Sequence, residues 1–401
     1  MDTGRRRAVR WVLLGLFVAL VVYGHIWYRN RHDWFDLGIY RQAVSFWLDG
    51  HDIYDYVKPD DTQGSLGFTY PPFGALVLVP FAVLSWIPAV VLYSVVTVAA
   101  VLVTTYWLVA PVARGKGWEL PFALILALTV ISVLEPIREN YTFGQINMVL
   151  VLLILADLLV LMPRGSRWAG VLIGLAAAIK LTPAIFIVYL LISRRYRAGL
   201  TAIASAAAAT LLAVAVMPRG SVDFWTDALW QGEGIGNAAY TFNQSLYGML
   251  ARLAAPHDPN RLLWAALALL TLGFGLWRAR RAALAGDEVV GLTITGIVGC
   301  LISPISWVHH IYWFVPALIV LAAARRRAWF AVVIAVTVGL GLVSWFEQGL
   351  PPDPWSHGMQ GFLIENWYLL LMVALLFVLP IRADSRVEPG LSPASEPATV
   401  R

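Results

Sequence analysis

The stretch RRRAVRWVLLGLFVALVVYGHIWYRNRHDWFDLGIY, residues 5–40, decides the fold. Residues 11–28 within it are uninterruptedly apolar or aromatic apart from Gly15, Gly24 and His25, which is enough helix to cross a hydrocarbon core. Arg5, Arg6, Arg7 and Arg10 stand immediately before them. Basic residues are held on the cytoplasmic side, so the N-terminus is expected inside and Asp36, just beyond the span, outside. No small-residue cleavage site follows; His25-Ile26-Trp27-Tyr28 is bulky, and the segment is expected to remain as an anchor.

The rest of the chain is of the same character. Of its 401 residues 59% are hydrophobic and only 13% charged, and mean hydropathy is +0.71. A soluble domain of this length needs far more charged surface, so the expectation is an all-α, polytopic integral membrane protein. The single cysteine, Cys300, excludes intramolecular disulfides and thiolate metal centres. Net charge is +5, yet only Lys58, Lys116 and Lys180 among the 29 basic residues are lysines, and most arginines sit in short loops between apolar segments. Topology accounts for them, and nucleic-acid binding is not indicated.

Ten apolar segments can be traced. Arginine clusters at 194–197, 278–281 and 325–327 mark cytoplasmic turns, leaving outer loops at 29–70, 218–261 and 347–366 and a short outer turn at 303–310. Residues 71–110 read either as two spans meeting near Trp86 or as one net crossing, with 170–192 then a broken pair of half-helices bent at Lys180–Pro183. Both readings give about twelve passes. Residues 1–381 are expected to form one transmembrane domain, and 382–401, polar and rich in Pro and Ser, a disordered cytoplasmic tail.

Several polar clusters interrupt this pattern. In HDWFDLGIY, helical spacing puts Asp33, Asp36 and Tyr40 on one face. That face reads as a general base that takes a proton from an attacking hydroxyl, or as the wet side of an interfacial helix. Tyr70-Pro71-Pro72 reads as a helix start with Tyr70 beside it. RENYTFGQIN, residues 138–147, places Arg138, Gln145 and Asn147 between two apolar spans, as a cavity lining or a connecting loop. Lys180, deep in AAAIKLTP, either snorkels to the interface or pairs with a buried anion such as a lipid phosphate. Asp157 reads as a polar packing residue. Asn243 and Gln244, followed by Arg252, suit sugar hydroxyls or an ordinary loop. In SPISWVHH, residues 303–310, His309 and His310 fit hydrogen bonding to a phosphate better than metal ligation, because no cysteine or carboxylate completes a ligand set.

Taken together, Asp36-Leu-Gly-Ile-Tyr40, Tyr70-Pro-Pro72, Gly144-Gln-Ile-Asn147, Lys180-Leu-Thr-Pro183, Asn243-Gln-Ser-Leu246 and residues 303–310 resemble glycosyltransferase family 87, over about residues 11–381. The resemblance implies a GT-C membrane fold and a polyprenyl-phosphate-sugar donor, with Asp36 as base and Asp33 its rival. It implies an inverting α-1,2-mannosyltransferase at the periplasmic face of the plasma membrane, taking mannose from polyprenyl-phosphate-mannose to a phosphatidylinositol mannoside. Arabinosyl transfer is the alternative within the same fold; a lipid transporter or flippase is the rival outside it. His309, His310 and Lys180, then Arg138 and Arg252, are the expected phosphate partners, with Tyr70, Gln145, Asn147, Asn243 and Gln244 as further substrate contacts. The phosphate leaves as a stable anion, so no general acid and no cofactor is expected, and a metal requirement is doubtful, since the outer loops offer no compact acidic cluster except Asp60-Asp61.

Overall fold

The computed structural model describes residues 3–28, 32–60, 64–231, 236–346 and 358–381. The expected tail at 382–401, Asp61, and residues 347–357 of the expected third loop lie outside them.

The chain is mostly helical. Helix α1 (Thr3–Tyr28) is the first apolar segment extended back through its arginines. Then α2 (Phe35–Leu48) begins only after Asp33 and Trp34, both at positive φ (48° and 52°). The expected shared face is therefore corrected: Asp36 and Tyr40 lie one turn apart on α2, while Asp33 precedes the helix and is exposed. A second correction follows, because the first loop is not all helical. Strands β1 (Val57–Asp60) and β2 (Gly64–Gly67) pair antiparallel, Val57 opposite Gly67 and Asp60 opposite Gly64.

The double proline starts a helix, as expected: α3 (Pro72–Val83) has Pro at its first position, where the missing N–H costs nothing. Both breaks weighed from the sequence are present. Helix α4 (Trp86–Lys116) starts anew after Ser85 and closes on Gly117 at positive φ. Helices α5 (Leu120–Val133) and α6 (Glu135–Phe143) meet at a 67° bend, and α7 (Asn147–Ala156) runs on into a π-helical turn, Asp157–Leu161. Helix α8 (Val171–Ile179) stops where Lys180 turns extended, and α9 (Ile185–Ile192) resumes after a short turn.

The remainder alternates long apolar helices with short connecting ones. Helix α10 (Tyr196–Val216) is followed by α11 (Pro218–Asp223), α12 (Leu229–Gln231) and α13 (Leu246–Ala254). Helices α14 (Arg261–Leu284) and α15 (Glu288–Ile302) form an antiparallel hairpin. Helices α16 (Phe314–Ala323) and α17 (Ala328–Gly339) flank the arginine turn, and α18 (Gly358–Glu365) meets α19 (Trp367–Val378) at another 67° bend.

Among the described residues four helices, α1, α4, α10 and α14, are long and apolar enough to cross a membrane, or up to six spans result if each bent pair is one span. Their outward Val and Leu side chains, such as Leu16, Val95, Leu211 and Leu269, are exposed rather than packed, as lipid-facing residues are. One contiguous core runs from Tyr40 to Ile381 behind them.

Close approaches set where α8 ends. Gly174 lies against the backbone of Ala202, where an added Cβ would come within 2.2 Å of the carbonyl oxygen, so α8 and α10 touch backbone to backbone. At the start of α8 the buried Asp157 carboxylate accepts from Gly170 N–H (2.6 Å) and Ile173 N–H (3.0 Å), satisfying amides the helix leaves open. The expected packing role of Asp157 thus becomes a specific one: it caps the helix that delivers Lys180.

Candidate active site

A cavity of about 470 Å³ opens among α2, the loop before α3, the break after α8 and the turn at 303–310. Asp36, Tyr40, Tyr70, Gln145, Lys180, Trp307 and His310 line it. Each reaches it for a local reason. Trp34 N–H donates to Thr142 O (2.9 Å), and His32 stacks on Phe143 (centroids 3.7 Å apart) while its Nε2 meets Glu139 (2.9 Å). The end of α6 therefore holds the start of α2. Gly144, at φ 80°, completes the joint, since a Cβ there would sit 2.6 Å from Leu37 Cβ.

The Asp36 carboxylate is partly buried and accepts from Gln145 Nε2 at 2.5 Å. Burial pushes its pKa up to about 6, against the opposing pull of Gln145, Lys180, His32 and Lys58. A carboxylate held there is ionised near neutral pH yet still basic enough to accept a proton.

At the other side of the constellation Lys180 Nζ donates to Asn147 Oδ1 (2.9 Å), lies 4.9 Å from the Tyr70 ring centre and stands 3.1 Å from His310 Nε2. His310 Nδ1 accepts from Trp307 N–H (3.1 Å), which places the proton of the neutral ring on Nε2. Burial and the neighbouring Lys180 push the His310 pKa well down, so neutral is the resting form. Two donors thus face each other with no acceptor between them. An anionic oxygen is the group that satisfies both.

A smaller cavity of about 60 Å³ adjoins the first across Lys180, Thr182, Ile185, Gly299 and His310. Its walls are largely hydrocarbon: Leu150, Val151, Ile154, Phe186 and Trp313.

The other residues singled out from the sequence sit elsewhere. His309 is buried, tilted against Phe143, and its ring nitrogens have no partner; its carbonyl accepts from Asn140 and Asn147. Arg138 binds Glu139 (3.2 Å) and Glu135 (3.7 Å). Asn243 Oδ1 accepts from Ser306 N–H (2.9 Å), and Gln244 ties Thr241 to Glu365 and the start of α19. Arg252 donates to Tyr240 O, Asn243 O and Asn366 Oδ1. None of these five lines the cavity; they brace the turn at 303–310 and the joint around α6. Sequence reading passed over Thr69 and the His32–Glu139 pair as site residues, since they carry no motif of their own. Among the described residues no three His, Cys, Asp or Glu side chains converge as a metal set.

A helical membrane bundle with a carboxylate and a Lys180–His310 donor pair in one cavity suggests a class, and sequence comparison supplies it. The model for glycosyltransferase family 87 matches residues 68–304, and the chain belongs to that family. Among its relatives is the polyprenol-phosphate-mannose-dependent alpha-(1-2)-phosphatidylinositol mannoside mannosyltransferase of Mycobacterium tuberculosis, 33% identical over 96% of this chain and 94% of its own length. The enzyme of the same description from Mycolicibacterium smegmatis is 34% identical over 94% and 89%. A pentamannoside mannosyltransferase from the latter organism is 31% identical over 90% and 88%. No solved structure matches the chain.

Proposed function

We propose that this protein is a polyprenol-phosphate-mannose-dependent α-1,2-mannosyltransferase whose acceptor is a phosphatidylinositol mannoside. The descriptions of the relatives support the donor and acceptor. The observation that carries the chemistry is the cavity shared by Asp36 and the Lys180–His310 pair.

The acceptor hydroxyl oxygen attacks the anomeric carbon of the donor mannose as Asp36 takes its proton. The bond from that carbon to the phosphate oxygen breaks, and its electron pair leaves with the lipid phosphate. Lys180 and His310 receive the charge that develops there, an electrostatic contribution made by groups already in place. One displacement inverts the anomeric carbon, so a β-linked donor gives an α-linked product. The hydrocarbon walls beyond the pair suit the lipid end of the donor.

The chain then spans the plasma membrane about twelve times as a single transmembrane domain. Its arginine clusters lie on the cytoplasmic side and the loops at 29–70, 218–261 and 347–366 face the periplasm with the active site.

The test is transfer of radiolabelled mannose from polyprenyl-phosphate-mannose to extracted phosphatidylinositol mannosides by purified protein, beside Asp36→Asn. Wild type transfers, and the folded variant loses roughly 10²–10⁴-fold, the range for a general base. Full activity in Asp36→Asn removes Asp36 from the chemistry. Transfer only from an arabinosyl donor replaces the sugar but keeps the site.

A further inference from the structure

Sequence alone makes Gln145 and Asn147 candidates for contact with a sugar, but their amides are occupied inside the protein. Gln145 Nε2 donates to Asp36 Oδ2 (2.5 Å), while Gln145 Oε1 accepts from Asn147 Nδ2 (3.3 Å) and from one hydroxyl of the Tyr40–Tyr70 pair, whose oxygens lie 2.9 Å and 3.1 Å from it and 2.7 Å from each other. Two donors on the oxygen, the Asn147 amide and a tyrosine hydroxyl, fix which way the amide faces, so its nitrogen must meet the carboxylate. Asn147 repeats the arrangement: Oδ1 accepts from Lys180 Nζ (2.9 Å) and Nδ2 donates onward to Gln145. The two residues are only 5% and 8% exposed.

We propose that Gln145 and Asn147 are positioning residues, a one-directional chain of amide hydrogen bonds from the Lys180 ammonium to the Asp36 carboxylate that aims the base and ties its basicity to the phosphate end of the site. The proposal rests on the reading of Asp36 as base. Every hydrogen in the chain points toward Asp36, so each bond polarises the next. A phosphate that draws Lys180 toward itself weakens that polarisation. The carboxylate then becomes more basic when the donor is in place, and a proton is taken only where a leaving group is ready.

The groups that face Asp36 electrostatically are His32, Lys58 and Lys180, with Tyr40, Tyr70 and Tyr93. Neither substitution removes any of these groups, and thermal unfolding separates a wider disturbance from a change in the amides themselves. The experiment measures initial rates of mannose transfer against pH for the full-length wild type, Gln145→Met and Asn147→Leu, with thermal unfolding of each.

For Gln145→Met the expectation is kcat lowered at least tenfold and KM for both lipids within about twofold. The acid limb of kcat/KM moves up by about one pH unit, the size of one lost charge-assisted hydrogen bond. Asn147→Leu keeps the bond to Asp36 and breaks the link to Lys180, so its limb moves in the same direction by less. A tenfold rise in either KM with the limb unmoved overturns the proposal and returns the amides to substrate binding. Normal rates with an unmoved limb overturn it as well. Failure of the parent reading appears separately, as full activity in Asp36→Asn.

Discussion

Replacing Gly74 by alanine tests how finely Lys180 is placed. Gly74 sits in the first turn of α3, and an added Cβ would lie 2.6 Å from the carbonyl oxygen of Ile179, the residue before Lys180, and 3.2 Å from Tyr70 Cβ. To regain ordinary van der Waals contact the backbone ahead of Lys180 must retreat by about 0.8 Å. Overpacking of this kind costs about 1–3 kcal/mol of stability, which a membrane bundle of this size tolerates. Activity suffers more. Lys180 touches His310, Asn147 and Tyr70, and a displacement near 1 Å at such a site costs on the order of 10²-fold in rate. The assay is mannose transfer beside thermal unfolding of the purified protein, and the expected result is a folded protein with roughly 10–100-fold weaker transfer. Transfer within twofold of wild type by folded Gly74→Ala would mean that the α3–α8 contact does not set the position of Lys180.

Other consequences are equally measurable. In wild type, transfer at low substrate falls as pH drops through about 6, because protonation of Asp36 removes the base; a profile flat down to pH 4.5 contradicts this. Asp157→Ala leaves two buried N–H groups at the start of α8 open and lowers stability by about 2 kcal/mol, read as a drop in unfolding midpoint, with Asp157→Asn milder. Arg252→Met strips donors from two carbonyls and Asn366, costing about 3 kcal/mol in the same measurement.

The membrane character and several of the residues that meet in the cavity were legible in the sequence for physical reasons. A carboxylate one turn from Tyr40, a lysine in a hydrocarbon run and a histidine beside a tryptophan are each costly where they stand, so each invites a functional explanation. The assignment within each group was not legible. His309 and His310 are adjacent and chemically alike, yet their rings lie at 83° to each other, and only His310 lines the cavity. Arg138, Arg252, Asn243 and Gln244 carry the same groups that bind phosphates and sugars; tertiary partners such as Glu139 and Asn366 engage them instead, and sequence distance hides those partners. The β1–β2 hairpin was missed because neither four-residue strand carries an alternating apolar pattern.

Helix α1 has little of its surface against the protein. It leans on α5 through Trp11 and Phe122, whose ring centres are 5.3 Å apart, through Arg7, Arg10 and Trp11 gathered on Glu119 near its N-terminal end, and through His25 Nε2 and Ser132 Oγ (3.3 Å) near the other. Asp36, the next functional group along the chain, is registered by α6 rather than by the helix that precedes it. The first membrane helix is thus a tether fastened near each end. Lipid molecules can lie along most of its length, and the wall of the protein there is bilayer. On the proposed function, donor and acceptor lipids can pack against this helix from the bilayer, and substitutions along its lipid face leave the chemistry untouched while its apolar character persists.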